Sequence, residues 1–207
     1  KPMRFLATHL VAAGYAVLSI NYRMIFRGGR FSQSREDVAN AVNWWLENAA
    51  RYGCDAARVS LLGMSAGAAL MLDHIERSER HDLKSLISVY GVYDFTFLSG
   101  RATRWLRTRM FLSKEPAIWA SASVVERCHT PLPLLLLHGD CDTIVPVEHA
   151  HKLLSHRQDI AQPTDSLVSK GAGHSFFNEP NHPATIEGLQ KILDFLREND
   201  AGRQGAS

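Results

Sequence analysis

Short apolar runs alternate with amphipathic stretches along most of the chain. Five of the apolar runs have the length and composition of buried strands, and they cover Tyr15–Ile20, Arg58–Leu62, Leu86–Tyr90, Pro133–Leu137 and Ser166–Ser169. Other stretches repeat apolar residues at the spacing of one helix face, and they cover Phe5–Ala13, Val38–Ala49, Ala66–Ile75, Val147–Leu154 and Ile186–Leu196. Short, continuously apolar strands that alternate with helices predict an α/β fold, in which helices cover both faces of a mostly parallel sheet.

The second of these helices has a recognisable start signal. Ser34 is followed three residues later by Asp37, which resembles a capping box and predicts that the helix begins at Ser34.

Length and composition narrow the class of protein. The 207 residues fit one domain with a single sizeable core. A net charge of +2, with no run of five like charges, gives no reason to expect a nucleic acid or an anionic membrane as partner. No apolar run approaches the roughly 18 residues that span a bilayer. The three cysteines show no paired spacing, which argues against a disulfide framework or a zinc site and slightly favours the cytoplasm.

The residues that follow each predicted strand are the candidates for chemistry, because ligands bind beyond the carboxyl ends of parallel strands. One such segment is Gly63-Met64-Ser65-Ala66-Gly67, which lies between an apolar strand and an alanine-rich helix. A serine at a sharp strand-to-helix turn projects its hydroxyl from the sheet edge, and the helix offers N–H groups to an oxyanion. The pattern predicts Ser65 as a nucleophile and the Ala66 N–H as an oxyanion donor. The alternative is a plain tight turn into a helix.

A serine hydroxyl needs a base within hydrogen-bond reach, and the base needs an acid that orients it. Among the ten histidines, His174 alone sits in a short glycine-bracketed loop after a predicted strand, so we expect it to be the base. His138 also follows a strand and is interpreted as a packed or hydrogen-bonded turn residue. Three further histidines fall on the helix after Val147 and are expected at the surface, namely His149, His151 and His156.

Three aspartates follow predicted strands and compete for the role of the acid. Asp142, after the fourth strand, satisfies the chain order Ser–acid–His of this fold class and is the first candidate. Asp94, after the third strand, is the main rival, whereas Asp140 is expected to accept backbone N–H bonds within its own turn. A metal bound by Asp140, Asp142 and His174 is conceivable, but no second histidine is suitably placed. No metal site is therefore predicted.

Five segments, spread over nearly the whole chain, resemble the motifs of a known family and occur in the same order. They are Gly14–Arg23, Glu36–Leu46, Gly63–Gly67, His138–Pro146 and Gly171–Phe177. Together they resemble the esterase/lipase branch of the α/β hydrolases, which includes carboxylesterases and feruloyl- and acetylxylan-esterase-like enzymes. The resemblance implies an α/β-hydrolase fold and a serine hydrolase that cleaves small-molecule esters through an acyl-enzyme, without a cofactor. It implies Ser65 as nucleophile, Asp142 as acid and His174 as base, and its His-Gly-x-x-Asp-x-x-Val-Pro pattern favours Asp142 over Asp94.

The sequence also departs from that family. The family's His-Gly-Gly-Gly-type loop, which supplies part of the oxyanion hole, is absent before the first predicted helix. We therefore expect residues 1–207 to be one α/β-hydrolase domain that is incomplete at its N-terminus and lacks N-terminal strands. The topology implies that a missing central strand would lie between Tyr15–Ile20 and Arg58–Leu62. Loss of one oxyanion donor costs about 10²–10³ in rate, so this chain is expected to be poorly folded or nearly inactive alone.

Residues 95–130 are expected to contain a small cap insertion over the pocket. In one interpretation, the aromatic residues of this segment line an acyl site and its arginines lie near one helix face. In the other, the aromatic residues are core residues and the arginines form a solvated basic surface above them. The residues concerned are Arg101, Arg104, Trp105, Arg107, Phe111 and Trp119. The family resemblance also suggests an ion pair between Arg23 and Asp37.

Two other functions compete with ester hydrolysis. A peptidase of the prolyl-oligopeptidase type would share the Asp142 segment, but the small residues Ala66 and Ala68 beside Ser65 and the absence of a propeller domain weigh against it. A non-catalytic binding protein of the same fold is disfavoured by three triad residues in the expected order.

Overall fold

A computed structural model describes residues 2–24, 27–78, 82–97 and 107–201. Within these ranges, a four-stranded sheet is formed by β1 (Leu61–Met64), β2 (Leu86–Val89), β3 (Leu134–Gly139) and β4 (Thr164–Ser169). The strands lie in the order β1-β2-β3-β4, and each neighbouring pair is parallel. The prediction of an α/β fold with a parallel sheet is confirmed, and all the strands predicted from Arg58 onward are present.

Helices flank this sheet, and the longer ones in the described ranges are α1 (Pro2–Ala12), α2 (Phe31–Asn48), α3 (Ala66–Ser78), α4 (Pro116–Ala122), α5 (Glu148–Asp159) and α6 (Pro183–Ala201). None of these combines the length and apolar character that a bilayer crossing requires.

Side chains of β2 and β3 are buried on both faces of the sheet. Ile87 and Leu135 pack in one cluster with Leu6 of α1 and Ile192 of α6. Their neighbours in sequence point to the opposite face, where Leu86, Leu134 and Leu136 pack with residues of α3 and α5 that include Leu72, Ile75 and Leu153. Because successive residues of a strand face opposite sides, a strand covered on both faces is apolar at most of its positions. This explains the continuous apolar runs in the sequence.

The segment 15–20 was predicted to be a strand, and this prediction is wrong. It forms no ladder with any part of the chain that the structure describes. A cavity of about 490 Å³ lies between this segment and β1, and Val17, Ser19 and Leu62 are among its lining residues. A strand requires a hydrogen-bonded neighbour as well as apolar side chains. Residues 15–20 have the apolar side chains that a strand requires, but no described strand lies beside them.

The start of α2 also differs from the prediction. The helix begins at Phe31, three residues before Ser34. The Arg30 N–H donates to Gln33 Oε1 at 3.0 Å, while the buried Ser34 hydroxyl donates to the carbonyls of Arg30 and Arg23. The carboxylate of Asp37 binds the Arg23 guanidinium at 2.7 Å instead of capping the helix, so the suggested Arg23–Asp37 ion pair is confirmed.

A buried carboxylate anchors α3, the helix that follows Ser65. The Asp73 side chain is fully buried, and its two oxygens share the Arg77 Nε–H, at N···O distances of 2.9 and 3.0 Å. Arg127 donates to it at 3.1 Å, and Arg35 of α2 lies 3.6 Å away. Three guanidinium groups compensate the cost of burying one charge, since a buried carboxylate needs several charged donors. This cluster ties α3 to α2 and to the segment before β3.

One of the histidines expected at the surface is buried. His149 in α5 is fully buried, whereas His151 is exposed. His149 Nδ1 accepts hydrogen bonds from the N–H groups of Tyr93 and Asp94, both at 3.3 Å. Because α5 is polar overall, its sequence gives no indication that the His149 side chain points into the core. Burial lowers the pKa of His149 to about 4.

We predict that His149 makes the protein less stable in mild acid. The unfolded chain binds a proton at this residue below about pH 6.5, whereas the folded protein does not until about pH 4. The free energy of unfolding should therefore fall by up to about 3 kcal/mol across that window because of this residue. His149→Asn keeps an acceptor for the two N–H groups but does not titrate. Urea unfolding at pH 7 and 4.5 should show a smaller loss for His149→Asn than for the wild type. In His151→Asn, the exposed control, the loss should equal that of the wild type; equal losses in all three proteins would contradict the prediction.

A second prediction concerns the contact between β1 and α3. A Cβ atom at Gly63 would lie 2.6 Å from Ala68 Cα and from the Gly67 carbonyl oxygen, so backbone would have to move. A Cβ atom at Gly67 would meet only the Tyr22 hydroxyl, at 3.9 Å. Gly63→Ala should lower the free energy of unfolding by about 1–3 kcal/mol, measured in urea, because of overpacking. Gly67→Ala is the matched control and should be neutral; a neutral Gly63→Ala would mean that the close approach is not a constraint.

Candidate active site

Ser65 occupies the single-residue connection between β1 and α3. Its φ is +52°, in the left-handed region that residues other than glycine rarely adopt. The Ser65 N–H donates to the Val89 carbonyl at 2.9 Å, and its own carbonyl accepts from the Ala68 N–H at 3.0 Å. The sheet therefore holds the backbone on one side and the helix holds it on the other. This strained turn presents the hydroxyl at the carboxyl edge of the sheet.

His174 lies in the turn that follows β4. Its Nε2 is 3.0 Å from Ser65 Oγ. Gly171, at the start of the turn, has a φ of +72°, and Ser175, directly after the histidine, has a φ of +63°. The ring of Tyr90, at the end of β2, packs against the imidazole with 4.9 Å between ring centroids. The imidazole is thus held by a turn of fixed shape and by an aromatic neighbour.

Asp142 lies in the turn that follows β3, and its carboxylate contacts the other side of the imidazole. Asp142 Oδ2 accepts from His174 Nδ1 at 2.6 Å, while Oδ1 accepts from the backbone N–H groups of Ile144 and Val145 at 2.9 and 2.8 Å. Burial alone would raise the pKa of Asp142. Hydrogen bonds from His138, His174 and Val145 outweigh burial and hold that pKa well below its ordinary value. The carboxylate is therefore charged at neutral pH.

The two rival aspartates have other partners. Asp94 Oδ1 accepts from the Thr96 N–H at 2.9 Å, and its Oδ2 lies 3.4 Å from Lys152 Nζ. Asp140 Oδ1 accepts from the Gly171 N–H at 2.6 Å, so it ties the turn after β3 to the turn after β4. Of the three aspartates, Asp142 is the one hydrogen-bonded to His174.

His138 is closer to the site than the sequence interpretation implied. Its side chain is buried, as expected for a packed turn residue. Its Nε2 lies 2.8 Å from the Val145 carbonyl oxygen and 3.4 Å from Asp142 Oδ2. The spacing of four residues between His138 and Asp142 was visible in the sequence, but it gave no sign that both side chains turn toward the same point.

Ala66 is the first residue of α3. The first N–H groups of a helix have no acceptor within it, and the helix dipole favours negative charge at that end. The Ala66 amide is therefore of the right kind to receive an oxyanion formed at Ser65. The cavity between residues 15–20 and β1 reaches this point, where its lining includes Ser65, Gly67 and Tyr90.

The aromatic residues expected near a cap are core residues where they are described. Trp119 is buried in a cluster with Phe31 and Phe95, and Phe111 packs against that cluster. The Arg107 guanidinium lies 3.6 Å from the centroid of the Trp119 ring. The others, Arg101, Arg104 and Trp105, lie outside the described residues.

The hydrogen bonds from Asp142 through His174 to Ser65 form an arrangement that can activate a hydroxyl. A neutral imidazole can take the hydroxyl proton, and a charged carboxylate stabilises the imidazolium that results. Across the described ranges, no group of three or more His, Cys, Asp or Glu side chains is placed to hold a metal ion.

The chain is similar in sequence to proteins that are named as esterases. It is 26% identical over 190 residues to Esterase LipC of Mycobacterium tuberculosis, which covers 82% of this chain and 47% of that protein. It is 25% identical over 219 residues to Esterase LipQ of the same organism, over 97% of this chain and 52% of that protein. The chain thus spans about half the length of these curated relatives.

A solved structure shows the same fold. Carboxyl esterase 2 from the mycorrhizal fungus Tuber melanosporum superposes with a TM-score of 0.79 at 16% identity, over 96% of this chain and 73% of that one. A family model described as BD-FAE matches residues 2–156. Since that match covers most of the sequence, the chain belongs to the BD-FAE family.

Proposed function

We propose that the protein is a carboxylic-ester hydrolase in which Ser65 is the nucleophile, His174 the general base and Asp142 the acid that orients it. The continuous hydrogen-bonded path from Asp142 Oδ2 to Ser65 Oγ carries this proposal, with distances of 2.6 and 3.0 Å. Membership of the BD-FAE family and the esterase names of LipC and LipQ support it.

The reaction proceeds in two steps. Ser65 Oγ attacks the ester carbonyl carbon while its proton passes to His174 Nε2, and the Ala66 N–H stabilises the oxyanion of the tetrahedral intermediate. Collapse of the intermediate breaks the ester C–O bond, and His174 gives its proton to the leaving alcohol. A water molecule, deprotonated by the same imidazole, then hydrolyses the acyl-enzyme and regenerates Ser65. Throughout, Asp142 remains charged and keeps the proton of His174 on Nδ1.

The substrate in this proposal is a small-molecule ester, and no cofactor takes part. Residues 1–207 belong to a single α/β-hydrolase domain in this proposal, and the segment around 95–130 contributes a small cap. Part of this segment packs as a cluster around Trp119 beside Phe95, which directly follows Asp94 after the end of β2. That position is at the carboxyl edge of the sheet, where a covering segment would meet substrate.

Substitution of the nucleophile and of the acid tests the assignment. Ser65→Ala should lower kcat/KM for p-nitrophenyl acetate by about 10³-fold or more, and Asp142→Asn by about 10²–10⁴-fold. Asp94→Asn is the matched control, because it makes the same chemical change at the rival aspartate, and kcat/KM should stay within about threefold of the wild type. Undiminished turnover in Ser65→Ala would refute the nucleophile, and a larger loss in Asp94→Asn than in Asp142→Asn would reverse the choice of acid.

Parallel assays of the wild-type protein with ester and amide substrates distinguish an esterase from a peptidase. We expect hydrolysis of p-nitrophenyl esters and no comparable hydrolysis of peptide p-nitroanilides of the same acyl group. Faster cleavage of the anilides than of the esters would favour a peptidase of the prolyl-oligopeptidase type.

A further inference from the structure

His138 and Asp142 form a buried pair at the carboxyl end of β3. Both side chains have no solvent-accessible surface, and His138 Nε2 lies 3.4 Å from Asp142 Oδ2. The same Nε2 lies 2.8 Å from the Val145 carbonyl oxygen. One nitrogen of a buried imidazole thus faces two oxygens, one of them charged.

These contacts define the protonation state of His138. A carbonyl oxygen and a carboxylate can only accept, so Nε2 must carry the proton. His138 Nδ1 is buried and has no hydrogen-bond partner in the described ranges. A second proton on Nδ1 would be a buried donor without an acceptor, which is unfavourable. His138 is therefore the neutral tautomer with its proton on Nε2.

The Nε2–H of His138 acts on the acid in two ways. It places a partial positive charge near Asp142 Oδ2, the oxygen that accepts from His174. It also holds the carbonyl of Val145, whose N–H donates to Asp142 Oδ1 at 2.8 Å. The imidazole thus closes a ring of contacts that runs from β3 through Val145 to the carboxylate.

We propose that His138 is a positioning residue for the acid, whose Nε2–H partly compensates the charge of Asp142 and so limits how strongly Asp142 stabilises protonated His174. This inference rests on the proposed function, since it assigns a role within the same site. It extends that function by one residue that does not touch the substrate.

Burial moves the pKa values of Tyr90 and His149, two neighbours of the pair, away from the neutral range. Burial raises the pKa of Tyr90, whose ring packs against His174, above its ordinary value near 10. Burial also lowers the pKa of His149 in α5 to about 4. Farther out, Asp94 and Lys152 pair with each other beside His149, and Asp140 of the same turn binds the Gly171 N–H. A change in the titration of His174 can therefore be read as a change in its interaction with Asp142.

Two variants distinguish the effect of the N–H donor from the effect of side-chain volume. His138→Met fills a similar space but donates nothing, whereas the amide nitrogen of His138→Gln reaches the position of Nε2. Without the donor, the charge of Asp142 is less compensated and attracts the imidazolium more strongly, which raises the pKa of His174. The acidic limb of the pH profile of kcat/KM for p-nitrophenyl acetate should move up by about 0.5 pH units in His138→Met. It should stay within about 0.2 units of the wild type in His138→Gln.

The titration of His174, followed by nitrogen-15 NMR, gives the same comparison without turnover. An upward shift in His138→Met together with recovery in His138→Gln supports the proposal. An unchanged or downward shift in His138→Met overturns it, because loss of packing alone would weaken the Asp142–His174 contact. If the NMR comparison follows the expected pattern but the wild type hydrolyses no ester, the proposed function is refuted instead.

A measurement on the wild type keeps the proposal testable if His138→Met does not fold. The nitrogen-15 spectrum at pH 7 should show His138 neutral with its proton on Nε2. A proton on Nδ1, or a doubly protonated ring, would overturn the proposal.

Discussion

The contact between the Asp142 carboxylate and His174 joins two turns that are 32 residues apart in sequence, and the site depends on it. The turn after β3 supplies the carboxylate, and the turn after β4 supplies the imidazole. Parallel pairing of β3 and β4 brings these turns to one edge of the sheet, and a further bond from the Gly171 N–H to Asp140 holds them together. A carboxylate with two backbone donors at one oxygen has little freedom to rotate. The imidazole is therefore aimed at Ser65 before any substrate arrives.

The backbone of Ser65 is held in place by a different set of contacts. Ser65 adopts a left-handed backbone because strand β1 ends at Met64 and helix α3 begins at Ala66, which leaves one residue to make the turn. The close approach of the two elements is possible because Gly63 has no side chain. Strain of about 1–3 kcal/mol persists at such a residue only when its surroundings over-determine it. Here the Val89 carbonyl and the first turn of α3 provide that support, and the Asp73 cluster anchors the helix farther along.

Much of the fold and of the site could be predicted from the sequence because both follow from local patterns. The strands β2 and β3 are buried on both faces, so their apolar runs are unambiguous. Ser65 stands directly after a strand, and His174 lies in the glycine-containing turn after another strand. The structure brings them within hydrogen-bond distance, as expected from the shared edge of a parallel sheet. Their catalytic roles are proposals that rest on this geometry and on the family.

The remaining features depend on tertiary contacts that local patterns do not contain. The apolar segment 15–20 looks like a strand, but a ladder also requires a neighbour, and none is present in the described ranges. The surface prediction for His149 failed because burial of one histidine in a polar helix depends on what the helix packs against. The choice between Asp94 and Asp142 could be made from the family pattern but not from chain order alone, since both follow a strand.

Covalent labelling tests the central claim, that the Asp142–His174 pair activates Ser65, most directly. A fluorophosphonate reacts with an activated serine and leaves a stable adduct that mass spectrometry can assign to one peptide. The account predicts a single adduct on Ser65 in the wild type and its loss in His174→Ala. An adduct on another residue, no adduct at all, or undiminished labelling in His174→Ala would contradict it.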